Sequence, residues 1–271
     1  MKSLLLHVGA DDGQTTRLNA AIALAQTFNA HLRCVQATPL AAFAMFADPF
    51  NASFDLPAIY GALRETAEAE RVRLEDRLRN EAVSWDWLQL DEPAGSAIMR
   101  QAKLADLVVL SRPDSETSGT LPPAPIAADV AIHSHGPVLA VPVTDERFDC
   151  AGPALVAWNG SFEAAHALRM TLPLLRRAAA VHVVTVADEP AEPTADEACQ
   201  YLARHGIAAE RHERPAGEGG IAQALVDAAL DIGAGYMVIG AYGHSRARET
   251  VLGGVTRDLL HGSPVSLLMA R

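Results

Sequence analysis

Met237-Val238-Ile239-Gly240-Ala241-Tyr242-Gly243-His244, then Gly253-Gly254-Val255-Thr256, is the stretch that decides the fold. A short apolar run ends in glycines, a polar loop follows, and a second glycine pair opens what reads as a helix. A backbone built this way presents free N–H groups to an anion. The helix dipole favours negative charge there, and glycine lets the main chain approach closely. The spacing is Gly240-x2-Gly243-x9-Gly253. An isolated glycine pair after a strand marks only a tight turn. The second pair, set before a helix, is what points to phosphate. His244, Arg246 and Arg248 lie between the pairs, either as phosphate contacts or as an exposed loop partnered by Glu249.

Outward from this stretch, strands and helices alternate. Ala154 to Trp158 reads as a strand and Asn159-Gly160-Ser161 as a turn. Ser161 caps a helix from Phe162 to Arg177 that Pro173 should kink or shorten. Val181 to Val186 is a β-branched strand, and Thr194 to His205 a helix ended by Gly206. Ala208 to Arg214 is a strand, Gly220 to Ile232 a helix, Tyr236 to Ile239 a strand, Val255 to His261 a helix and Val265 to Met269 a strand.

The first half repeats the order. Ala105 to Leu110 answers Ala234 to Ile239, and His135 to Ala140 answers Gly262 to Leu267. Its strands are expected over Lys2 to Val8, Ala30 to Ala37, Trp85 to Leu90, Leu107 to Leu110 and Pro137 to Val143. Its helices are expected from a cap at Thr15 or Thr16 to Phe28, and over Tyr60 to Val83, Ser96 to Leu104 and Ala124 to His133. The charges along Tyr60 to Val83 suit a solvated face with i,i+4 pairs. Thr38 to Pro57, broken by Pro39, Pro49 and Pro57, is an irregular connection. Two doubly wound parallel-sheet modules follow, with right-handed crossovers, at residues 1–146 and 151–271. Ligands of such sheets bind beyond the carboxyl ends of the strands, where strand order reverses.

Composition narrows the function. The 271 residues carry a net charge of -11, 49% hydrophobic and only 5% aromatic residues. An acidic surface repels nucleic-acid backbones and anionic lipid, so neither partner is expected. Cys34, Cys150 and Cys199 form no C-x-x-C pair, which argues against a disulfide framework or a zinc site. His133, His135, His205 and His212 lack metal-ligand spacing and read as ordinary surface or turn residues. No apolar run approaches a membrane span, and the chain is expected to be cytoplasmic.

With Gly240, Gly243 and Gly253 in this order, the chain resembles the universal stress protein family. The resemblance covers both halves and is stronger in the second. It implies a Rossmann-like fold of the adenine nucleotide alpha hydrolase type. It also implies that ATP, or ADP or AMP, with or without Mg, is held from three places: Ala157, Trp158 and Asn159 in the first strand-to-helix turn; Val186 at the end of the second strand; and Gly240, Gly243, Gly253, Gly254, Val255 and Thr256 in the glycine loop. Asn159 stands where the family usually has Asp, keeping an acceptor without charge. Gly254 stands where Ser or Thr usually offers a hydroxyl. Losing one neutral hydrogen bond costs about 0.5–1.5 kcal/mol, which weakens binding about tenfold without abolishing it. Trp158 suits either base stacking or core filling.

In the first half Ser111-Arg112-Pro113-Asp114 replaces the glycine loop, and Ser115 to Pro125 holds only Gly119. Pro113 removes a donor and Asp114 repels phosphate, so no nucleotide is expected there. Asp11 and Asp12 resemble the family's acidic position but suit a turn.

The resemblance implies a nucleotide-responsive regulator of stress survival; at most slow ATP hydrolysis is expected, because no carboxylate–histidine pair or Mg-binding cluster is evident beside the loop. One rival is an interaction module without ligand, docking a partner or second copy through Ala41 to Leu56 or through the apolar edge candidates Pro137 to Val141 and Pro264 to Leu268. In the resembling family that last strand pairs modules across a pseudo-two-fold, which in a tandem chain becomes intramolecular self-pairing, with a homodimer also open. The other rival, an adenylating or dinucleotide-dependent enzyme, lacks a G-x-G-x-x-G after Val8 and after Trp158.

Overall fold

The computed structural model of the protein describes residues 1–38, 56–112, 126–143, 148–186, 191–241 and 254–271. Gly243, Gly253, His244, Arg246, Arg248, Ser115 to Pro125, and most of the Thr38 to Pro57 connection therefore lie outside the described residues.

The described chain alternates strands and helices throughout. The first half runs β1 (Ser3–Val8), α1 (Gln14–Phe28), β2 (His31–Ala37), α2 (Leu56–Arg79), β3 (Ser84–Leu90), α3 (Ala94–Gln101, prolonged by a 3-10 turn Ala102–Leu104), β4 (Leu107–Ser111), α4 (Ile126–His133) and β5 (Val138–Val141). The second runs β6 (Ala154–Ala157), α5 (Phe162–Leu175), β7 (Val181–Val186), α6 (Ala195–Arg204), β8 (Ala209–Arg214), α7 (Gly220–Asp231), β9 (Tyr236–Gly240), α8 (Gly254–Gly262) and β10 (Ser266–Ala270).

All ten described strands join one sheet in the order β3-β2-β1-β4-β5-β10-β9-β6-β7-β8. Each half is parallel and doubly wound, with its strand order reversing between β1 and β4 and between β6 and β9. β5 and β10 run antiparallel, Leu139 beside Leu268 and Val138 beside Met269, and weld the halves. The apolar runs Pro137 to Val141 and Pro264 to Leu268, weighed as docking edges or as an intramolecular seam, form the central seam. The residues of β5 and β10 are almost wholly buried. Each Leu or Met so buried contributes about 1.5–3 kcal/mol. The true edges are β3 and β8.

Local chemistry explains the helix limits. Ser161 Oγ accepts the Ala164 N–H at 3.1 Å and starts α5. Pro173 neither breaks nor ends α5, which runs two residues beyond it to Leu175. Thr194 and Glu197 form a reciprocal capping box on α6. The cap expected from Thr15 or Thr16 on α1 is absent: Gly13 holds that position, and Thr16 Oγ1 donates to the Val143 carbonyl at 2.8 Å. Helix α2 starts and ends four residues earlier than its charge pattern suggests. Its charges pair as Arg71–Glu75 and Arg79–Glu75, while Ala67, Leu74 and Leu78 make the stripe that packs inward. Arg112, just after β4, donates to the carbonyls of Leu259 and Leu260 at 3.2 and 3.1 Å. It thereby places a cation at the carboxyl end of α8, across the boundary between halves.

Candidate functional site

A crevice of about 300 Å³ opens at the carboxyl ends of β6, β7 and β9, at the strand-order reversal of the second half. That volume lies at the lower end of small-molecule sites. A hollow of about 560 Å³ also opens near Met1, Asp106 and His135. It lies at the amino ends of β1 and β4, away from where doubly wound sheets place ligands.

Val184 and Val186 of β7, Ile239 of β9, Leu259 of α8 and Ile221 and Leu225 of α7 make apolar walls. Polar groups enter from the β6–α5 turn and from the first turn of α8, at Gly254, Val255 and Thr256. Among the residues expected from the sequence, the crevice gathers Ala157, Trp158, Asn159, Val186, Gly240, Gly254, Val255 and Thr256. The wall residues Ile221 and Leu225 were missed. Their spacing of four on α7 carried the signal, but a helix stripe of this kind reads first as core.

Trp158 is buried at 5% exposure, and its indole N–H donates to the Pro193 carbonyl at 2.9 Å. It belongs to the core and offers the crevice a fixed wall. Asn159 is exposed, and its Oδ1 accepts the Ser161 N–H at 3.1 Å. The acceptor read from the sequence is thus engaged in the turn, and the side-chain amide is the group left to offer.

The two described glycines of the loop differ. A Cβ on Gly240 would stand 2.5 Å from Ala164 N and 2.7 Å from Glu163 C, both backbone atoms of α5. Gly240 is required because α5 starts against the end of β9, which sets the crevice's width. A Cβ on Gly254 would meet nothing within 4 Å. No crowding excludes Ser or Thr there.

The first half shows what the same place becomes when filled. Leu4 lies beside Leu107 as Ala154 lies beside Tyr236, so His7 matches Ala157 and Ser111 matches Gly240. Arg17, at 1% exposure, occupies this end of the sheet. It donates to the His7 carbonyl at 2.7 Å, to both Asp11 carboxylate oxygens at 3.1 and 2.9 Å, to Gln14 Oε1 at 2.5 Å and to Ser111 Oγ. Burial, reinforced by the Arg17 charge, pushes the His7 imidazole down to about 4. Asp11 also accepts the Gly13 N–H at 3.0 Å, so it serves the turn and the arginine.

The cysteines are buried or half-buried free thiols; burial pushes Cys34 up to about 12. Among the described residues no helix is long and apolar enough to cross a membrane. One histidine departs from the sequence reading: His212 lies against His182 and Glu210, an arrangement a thirty-residue separation conceals.

The protein is a doubly wound α/β fold with a crevice at its switch point and a helix amino end in the wall, the place where such sheets hold ligands. Residues 152–271 match the model of the universal stress protein family. Two solved structures share the fold over both halves. A universal stress protein from Archaeoglobus fulgidus DSM 4304 is similar at 14% identity and TM-score 0.71, over 99% of this chain and 97% of that one. A structure from Pseudomonas aeruginosa UCBPP-PA14, assigned as a universal stress protein, is similar at 19% identity and TM-score 0.61, over 100% and 93%. A comparison with curated protein sequences gives no match.

Proposed function

We propose that the second half binds an adenine nucleotide, ATP foremost, and that occupancy regulates the protein in a stress response. The carrying observation is convergence. Residues drawn from the β6–α5 turn, the end of β7, the end of β9 and the start of α8 line one crevice at the strand-order reversal. The apolar walls suit a purine, and the amino end of α8 suits phosphate. Binding shifts a conformational or oligomeric equilibrium by no more than the ligand's differential affinity for the two states. The Arg112 contact to the far end of α8 gives the first half a mechanical link to the site.

The described crevice wall carries no carboxylate, histidine or lysine to activate water, which favours holding ATP over turning it over. Any hydrolysis is slow. The first half binds no nucleotide, because Arg17 and its partners occupy the matching place. The interaction-module alternative loses two of its docking surfaces, since β5 and β10 pair with each other.

The test is titration of ATP by calorimetry into wild type and Gly254→Asp. The substitution enters open space, and an acidic residue in the first turn favours the helix while repelling phosphate. One ATP per chain in wild type and at least a tenfold loss in the variant are expected. Absence of uptake at millimolar ATP, or unchanged affinity in the variant, would sink the proposal.

A further inference from the structure

β7 and β8 form the outer edge of the second half, and β8 is largely exposed. Their register sets His182 beside Glu210 and Val184 beside His212. Side chains two apart share a face, so His182, Glu210 and His212 come together on one side of the sheet. His182 Nδ1 stands 2.9 Å from His212 Nε2. Glu210 Oε2 is 3.6 Å from the first nitrogen and 3.7 Å from the second.

These three distances specify a triangle with a definite centre. The point equidistant from the three atoms lies about 2.0 Å from each, which is the length of a zinc–imidazole or zinc–carboxylate bond. Two neutral imidazoles and a carboxylate are a donor set that suits zinc and its divalent neighbours, and three protein ligands leave a fourth position open. Without a cation, the two nitrogens can face each other only as one donor and one acceptor, with the carboxylate oxygen held off both at more than hydrogen-bond length. A cation satisfies all three atoms at once.

Exposure grades across the cluster. The His182 side chain is 13% exposed, His212 33% and Glu210 73%. An ion thus reaches the cluster from solvent, while its innermost ligand is fixed by packing. Burial, and then the neighbouring His212, lower the proton affinity of His182, with Glu210 opposing.

We propose that His182, Glu210 and His212 form a divalent transition-metal site of the zinc class that staples the edge strand β8 to β7. The site lies near the amino end of β7, beside Val184, which lines the nucleotide crevice and pairs in register with His212, so the two sites adjoin on one face of the sheet but share no residue. It does not rest on the nucleotide reading.

The test uses the full chain, stripped with chelator and titrated with zinc chloride by calorimetry at pH 7.5. One zinc per chain is expected, lost in His212→Ala and weakened at least tenfold in Glu210→Gln. Zinc should raise the melting temperature of wild type and leave that of His212→Ala unchanged. Glu210 is exposed, so Glu210→Gln keeps the test valid if the histidine variant folds poorly. Cobalt substituted for zinc should give the strong visible absorption of a four-coordinate ion. The chain holds 10 histidines in all. Binding that survives both variants would place the ion elsewhere and overturn the assignment. So would the absence of any saturable site, which would leave the pair as an imidazole–imidazole hydrogen bond.

Discussion

Gly240 and Gly254 belong to one glycine pattern, yet substitution by alanine should move stability in different directions. At Gly240 the new methyl would sit 2.5 Å from Ala164 N, 2.7 Å from Glu163 C and 3.0 Å from Ala164 Cα. Ordinary contact begins near 3.4 Å, so β9 and α5 must part by roughly 0.9 Å. Every obstructing atom is backbone and cannot swing aside. The first turn of α5 is also pinned by the Ser161 cap, and Gly240 is fixed beside Ala270 of β10. Overpacking of this kind costs about 1–3 kcal/mol. For a chain of this length that lowers the melting temperature by about 2–12 °C. At Gly254 nothing lies within 4 Å and its φ is one that alanine adopts. Gly254→Ala should be neutral, or stabilising by up to about 1 kcal/mol through the unfolded chain. Thermal unfolding of the two variants without ligand, followed by circular dichroism, makes the comparison. A neutral Gly240→Ala, or equal losses in both, would refute the close approach of α5 to β9.

Three further outcomes follow from the same geometry. Gly254→Ser adds a hydroxyl in open space and should tighten ATP by about 2–13-fold, one net hydrogen bond, while leaving adenosine unchanged in the same calorimeter. Arg17→Met removes the donor to the His7 carbonyl, Asp11, Gln14 and Ser111 and should cost about 2–4 kcal/mol in urea unfolding; a loss under 1 kcal/mol would show that the network is not strained by its removal. His7 is pushed down from 6.5 to about 4 in the folded chain. Below pH 6.5 the unfolded chain therefore takes a proton that the folded chain refuses, and stability falls until about pH 4, by up to about 3 kcal/mol. His7→Gln should flatten that part of the curve in urea titrations between pH 7 and 4, and an unchanged slope would assign the acid sensitivity elsewhere.

The repeat and the alternation of strands with helices were legible because parallel strands buried on both faces leave unbroken β-branched and aliphatic runs, as in Val181 to Val186 and Leu107 to Leu110. Most strand limits moved by a residue or two. Helix limits moved where the deciding contact is distant in sequence: α2 is placed by its buried stripe, and Thr16 is drawn from a cap to the Val143 carbonyl. At the centre of the sheet the sequence left open whether these strands dock a partner or pair within the chain, since an apolar strand does not declare its neighbour; β5 and β10 pair with each other. In the crevice, the turn and loop residues were legible from glycine spacing and the resemblance it supported. The walls supplied by Ile221 and Leu225 were not, because an apolar pair on a helix reads the same whether it lines a crevice or a core. The contacts of Arg17 and of His182 with His212 were hidden too. They depend on strand register, which only the assembled sheet supplies.

Whether the second half holds one adenine nucleotide between an apolar wall and the amino end of α8, as proposed, is decided by native mass spectrometry of the freshly purified chain, with ATP titrated into wild type and Gly254→Asp. One nucleotide per wild-type chain is expected, with adenosine bound more weakly than ATP, and loss of the ATP advantage in the variant. Two or more nucleotides per chain, or ATP binding indifferent to the charge at position 254, would contradict it.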